Sequence, residues 1–164
     1  TGFNPHDKLT PLESAPVIKS HVTSGLKYGR RYQLKTPLLT AIQRHHGTDF
    51  ISFFFEKERQ LTGKTPDEND FRYPGPLPED PETVILMMAD CCEAATSSLS
   101  DPSPENIRSM VTGLFDKKLK NGQFAKAKMT CAELHAVREC IIETLVAMSH
   151  VRIAYPKFDD GEKK

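Results

Sequence analysis

The stretch "IQRHHGTDF", residues 42–50, sets His45 and His46 side by side at the end of an apolar helical pattern and follows them with Gly47. A neutral imidazole is a common ligand for zinc, iron and manganese. Adjacent residues on a regular helix point about 100° apart and do not normally share one small target. Gly47 changes this, because glycine takes the left-handed conformation that ends a helix and lets His46 turn toward the same point as His45. The competing reading is a solvated helix end, with two histidines near the negative end of the dipole. His21, within "VIKSHVTSGL", is either a satisfied boundary histidine or a third ligand that meets the pair.

Asp90 lies in "VILMMADCCEAA", residues 84–95, a run that is apolar nearly all the way round. Val84, Met88, Cys91 and Ala95 form one stripe, and Leu86, Met87 and Ala94 surround Asp90 on the other side, so the helix is expected to be buried on every face. A carboxylate there must be paired, metal-bound or protonated. A salt bridge to Arg44 or Arg138 and a role as metal ligand both meet that demand. Glu93, three residues on, either supports the same site or reaches solvent. In "RYPGP", Arg72 and Tyr73 offer a phosphate fork and a base-stacking platform, or else form a rigid loop that packs one aromatic. His6 and Asp7 of "NPHD" sit in a loop bounded by Pro5 and Pro11 and read as lead-in structure.

The elements that must position these groups are helices. Thr10-Pro11 with Glu13 at N3 forms a capping box, Ser103-Pro104 repeats the cap and first turn, and Thr130 with Glu133 repeats the box. Apolar residues then recur at spacings of three or four: Ile107, Met110, Val111, Leu114, and later Leu134, Val137, Ile141, Leu145, Met148. Thr36-Pro37 opens another helix through Leu38, Ala41 and Ile42. "DFISFFFEKER" reads as one more, although its aromatic run equally fits a buried strand. Gly29, Gly47, Gly122 and Pro156 mark stops. Pro16 must kink the first helix or mark a later start. Together these predict an all-α domain of about six helices. Residues 62–81, with five prolines, are a loop long enough to be functional or disordered.

A chain of 164 residues supports one domain with a real core. With 22 basic against 22 acidic residues the net charge is zero, which argues against a DNA or RNA polymer as partner. Nothing approaches the roughly 20 apolar residues that span a bilayer. Cys91, Cys92, Cys131 and Cys140 lack metal or redox spacing and read as reduced, buried thiols in a cytoplasmic setting.

Taken in order, "NPHDKLTPLESAPVIKSHVTSGL", "IQRHHGT", "DFRYPGP" and "MMADCCEAA" resemble the HD-domain phosphohydrolases attached to seven-transmembrane receptor-like proteins, a group that hydrolyses cyclic di-AMP. The similarity runs to the "RIAYP" ending. It implies a helical bundle around a two-metal centre, often iron or manganese, whose ligand series is a histidine, a His-Asp doublet, a histidine, a His-His pair and a distal aspartate. The later members match His21, His45, His46 and Asp90. The first histidine and the doublet have no counterpart, since the family carries its own "NPHD" lead-in just before this helix.

The implied picture is an HD-like bundle incomplete at its N-terminus: residues 1–156 as the C-terminal portion of the domain, and 157–164 as a charged flexible tail. Its implied function is metal-dependent hydrolysis of a cyclic dinucleotide, cyclic di-AMP favoured, to a linear dinucleotide. His21, His45 and His46 would hold one metal and Asp90 would help close the other, with Arg72 and Tyr73 at the substrate's phosphate or base. A complete site takes two divalent metals; this chain takes one or none and is expected to be inactive alone. The resemblance places the parent in a bacterial inner membrane with this part as a soluble cytoplasmic domain, and an uncovered surface suggests pairing with a second copy. The alternative is a degenerate HD module that binds a nucleotide or protein partner without turnover.

Overall fold

A computed structural model of the chain describes residues 8–150. Six α-helices follow one another: α1 (Pro11–Arg31), α2 (Thr36–Arg44), α3 (Ser52–Thr62), α4 (Pro81–Ser97), α5 (Pro104–Lys120) and α6 (Cys131–His150), with a 3-10 turn over Glu68–Phe71. The all-helical reading holds, and local chemistry explains the starts. The Thr10 hydroxyl accepts from the Glu13 N–H at 3.2 Å, while the Glu13 carboxylate accepts from the Thr10 N–H at 2.9 Å. Thr130 and Glu133 repeat the box ahead of α6, and Ser103 caps α5. Because Thr10 is exposed, Thr10→Ala tests the cap with little packing change. It is expected to cost about 1 kcal/mol, seen as a fall of roughly 2–4 °C in the melting temperature.

Two expectations about α1 change. The helix runs on through Pro16, near its start, where the ring removes a single backbone hydrogen bond. Gly29 is not a stop but a buried residue inside the helix. A Cβ there would stand 2.7 Å from Leu39 Cδ2, so the glycine serves the close approach of α1 and α2. The left-handed turn falls instead at Gln33, with φ 55°.

Two apolar clusters hold the helices. The larger joins α4, α5 and α6 through Val84, Met87, Met88, Cys92, Ile107, Val111, Phe115, Phe124 and Ile142. The smaller packs Ala15 of α1, Phe55 of α3 and Phe71 of the 3-10 turn, with Phe50, Ile51 and Phe54 around them. The aromatic run is therefore helical from Ser52, while the residues before it make an isolated antiparallel bridge, Phe50 with Arg72. The proline-rich segment is an ordered strap: Phe71, Tyr73 and Pro78 are all buried.

The expectation for α4 is only half right. Its buried face is Thr83, Val84, Met87, Met88, Cys92 and Thr96. Ile85 and Leu86 are each 43% exposed, and Ala89 and Asp90 are exposed beside them. The apolar run finds partners within the described residues on one side only. Similarly, α2 contains no buried residue although Leu38, Leu39 and Ile42 are apolar. The cysteines are all free thiols, but Cys131 and Cys140 are exposed rather than buried. No helix among the described residues is long and apolar enough to cross a membrane. Pro156, the "RIAYP" ending, the 157–164 tail and the His6-Asp7 pair lie outside the described residues.

Candidate metal centre

The three histidines meet. His21 projects from the middle of α1, His45 is the C-cap of α2, and His46 begins the turn that follows. Gly47 sits at φ 51°, the left-handed value that turns the chain here. The three residues can each offer one ligand atom within 4.8 Å of the others, and this is the group of that kind found among the described residues. His21 Nε2 stands 3.3 Å from His45 Nε2 and 3.0 Å from His46 Nε2.

The protonation pattern follows from the partners. His21 Nδ1 lies 2.6 Å from the Ile18 carbonyl, and His45 Nδ1 lies 2.9 Å from the Ile42 carbonyl and 3.2 Å from that of Ala41. A carbonyl oxygen only accepts, so each Nδ1 donates and, in the neutral ring, each Nε2 carries a bare lone pair. Burial pushes the His46 imidazolium down to about 3, helped by the charges of His45, His21 and Lys118 and opposed by Asp49, so His46 is neutral near pH 7.

This arrangement fits a cation. A single proton placed between two of the nitrogens relieves one contact and leaves the other lone pairs facing each other. Imidazoles sharing a first-row metal at about 2.0–2.1 Å place their nitrogens roughly 2.9–3.4 Å apart. The backbone carbonyls behind His21 and His45 supply the orienting partners that metal-bound histidines usually have.

The other expected residues fall into place differently. Asp90 is not part of the histidine group, and neither proposed arginine reaches it: Arg44 pairs with Glu79 at 2.8 Å and Arg138 with Glu139 at 3.1 Å. Because its side of α4 is open, the carboxylate is exposed and needs no buried partner. It is still close enough that its charge, with that of Asp49, adds to burial in pushing the Tyr73 phenol up to about 12. Glu93 accepts from the Ser97 hydroxyl at 2.7 Å and is exposed, so it reaches solvent.

Tyr73 is not an open stacking platform. It is 8% exposed and its ring stacks on His46 at 4.2 Å between centroids, with His21 edge-on at 6.0 Å. The ring packs flat against the His46 imidazole. Arg72 is half-buried, donates to Glu68 at 2.7 Å and lies over Phe50 at 5.0 Å. Both residues nevertheless line an open groove of about 610 Å³ beside the histidines. Lys19, Ser20, Thr23, Thr48 and Asn69 complete it, so a basic and hydroxyl-bearing surface adjoins the trio.

Three residues around the centre escape a reading by motif. Asp49 pairs with Lys118, a lysine side chain only 4% exposed. Gln123, 1% exposed, donates from Nε2 to Thr48 Oγ1 at 3.0 Å and accepts the Thr48 N–H at 3.1 Å. The signal was available: Lys118 extends the Ile107, Val111, Phe115 stripe of α5, a charge on a buried face.

No family model matches the chain. Over 154 residues, 94% of its length, the chain is 40% identical to the cyclic-di-AMP phosphodiesterase PgpH of Bacillus subtilis. It is 33% identical over 159 residues to PgpH of Listeria monocytogenes, and it spans 22% of the length of each of these relatives. The crystal structure of the L. monocytogenes PgpH HD domain is similar with a TM-score of 0.84 and 31% identity, covering 92% of this chain and 70% of that one. The same domain in complex with cyclic-di-AMP gives a TM-score of 0.85, covering 90% and 69%.

Proposed function

The chain belongs to the family of PgpH HD domains, and on that footing we propose that it is the metal-holding portion of a phosphodiesterase that opens cyclic di-AMP to a linear dinucleotide. The observation that carries this reading is the convergence of three Nε2 atoms, with the Nδ1 hydrogens of His21 and His45 already spent on backbone carbonyls. His21, His45 and His46 would hold one divalent ion, iron or manganese by resemblance, and Asp90 would help close a second. Such ions act as Lewis acids toward a phosphoryl oxygen and lower the pKa of water.

The chain's own residues supply placement. Tyr73 fixes the His46 ring by stacking. Arg72 and Lys19 put positive charge along the groove, where a phosphodiester beside the histidines would lie, and Ser20, Thr23 and Asn69 offer hydrogen bonds to ribose or base. In this reading Arg72 exchanges its exposed partner Glu68 for phosphate. The groove is open enough for a dinucleotide rather than a single small anion.

The sequence has no counterpart of the family's His-Asp doublet, which favours binding without efficient turnover by this chain taken alone. The test is metal analysis combined with a cyclic di-AMP hydrolysis assay, on this chain and on the whole HD-containing region. Bound iron or manganese with linear dinucleotide as product from the whole region is expected. No metal and no turnover there would sink the enzyme reading in favour of a module that binds a nucleotide or protein partner.

A further inference from the structure

The end of α5 presents an unusual pair. Gly122, at φ 68°, takes the left-handed conformation, and the chain closes with two bonds: Gly122 N–H to the Leu119 carbonyl and Gln123 N–H to the Lys118 carbonyl, both 3.0 Å. This is a Schellman ending, which brings the side chains at Lys118 and Gln123 next to each other. That contact is usually apolar. Here it joins a buried lysine and a buried glutamine, each of which would be costly to bury without a partner.

Both partners lie in the turn directly after His46. Lys118 pairs with the Asp49 carboxylate, and Gln123 engages Thr48 through its backbone N–H and its hydroxyl. Gly47 is packed down on the same amide: a Cβ there would stand 2.5 Å from Gln123 Oε1. The backbone carbonyl of Asp49 in turn accepts the Tyr73 N–H at 3.0 Å, which carries the restraint to the ring stacked on His46.

We propose that Lys118 and Gln123 are positioning residues of the metal centre, a two-point clamp from the end of α5 that fixes the turn at residues 47–49 and so aims His46 at His21 and His45. The proposal rests on the reading of the histidine trio as a metal site. It makes the clamp a determinant of metal affinity, separate from its contribution to stability.

The test titrates the purified chain with Co²⁺ and reads visible absorption, which reports both occupancy and coordination geometry. Wild type is expected to give a saturable band. Gln123→Met keeps the side-chain length but neither bond; it should weaken Co²⁺ binding by roughly 10- to 100-fold, as loss of ligand-orienting partners does, and change the band shape. Gln123→Glu, which keeps an acceptor for the Thr48 N–H, should recover most of the affinity. Lys118→Met sets two roles against each other by sign. Removing a positive charge beside the site tightens cation binding if the lysine acts only through its field, and weakens it if the lysine positions the turn.

If Gln123→Met does not fold, Thr48→Val removes only the hydroxyl contact and is expected to give a smaller loss in the same direction. Gln123→Met with a lowered melting temperature but wild-type affinity and band, or Lys118→Met that binds more tightly, overturns the clamp. A wild-type chain that shows no Co²⁺ band, or His45→Ala that binds like wild type, overturns the metal reading instead and the clamp with it.

Discussion

His45→Ala in the whole HD-containing region is expected to empty the histidine site and to lower cyclic di-AMP hydrolysis by more than about 100-fold, a larger loss than removing an orienting partner gives. The expectation follows from geometry. His45 contributes one of three converging Nε2 atoms, and its Nδ1 is anchored on α2 carbonyls, which leaves Nε2 directed at the other two. The side chain is only half-buried and outside both apolar clusters. His45 is nevertheless the C-cap of α2, and its Nδ1 bond to the helix carbonyls is lost in the variant, so the metal-free protein should melt roughly 2–4 °C lower, the effect of about 1 kcal/mol. Metal content by mass spectrometry and linear dinucleotide by chromatography check the two halves. Full metal retention by the variant would remove His45 from the ligand set.

Gly47→Ala acts on the same centre through the backbone and is expected to cost about 3 kcal/mol. Part of that is the left-handed conformation at φ 51°, which costs a non-glycine residue roughly 1–2 kcal/mol. The rest is space: the new Cβ would meet Gln123 Oε1 at 2.5 Å and Met87 Cε at 3.1 Å, and overpacking of this sort typically costs about 1–3 kcal/mol. The Met87 thioether can yield, but the glutamine is held by two bonds to Thr48, so the turn must move instead. A urea transition should show a lower midpoint at unchanged slope, together with weakened metal binding. A wild-type midpoint would mean that the turn relaxes without cost.

Much of this was readable from residue order, because the relevant physics is local. Thr10 with Glu13 and Thr130 with Glu133 announce helix starts through contacts three residues long, and both boxes form. Gly47 after two histidines suggested that adjacent side chains are turned to one point, and they are. The failures are equally physical. Apolar content in α4 suggests burial all round, yet Ile85, Leu86 and Asp90 are exposed, because burial depends on what packs against a face and not on the face alone. Gly29 looked like a stop because glycine serves turns and close helix contacts alike, and only the neighbouring Leu39 decides which. For Tyr73 residue order leaves open a base platform or a packed loop aromatic; the ring packs on His46, a partner from a distant segment. Lys118 and Gln123 carry no motif; their meaning lies in partners about 70 residues upstream.

That last separation bears on the order of events as the chain folds. The three histidines come from α1 and the end of α2, within 25 residues of one another. The bonds from Gln123 to Thr48 span 75 residues and the Lys118–Asp49 pair spans 69. Closing such loops is slow compared with forming a helical hairpin. A chain emerging from the ribosome thus holds all three histidines early, but acquires the contacts that fix the turn after His46 only once α5 has docked. The geometry of the trio is in this sense a late product of folding, set by a finished domain rather than by its first residues.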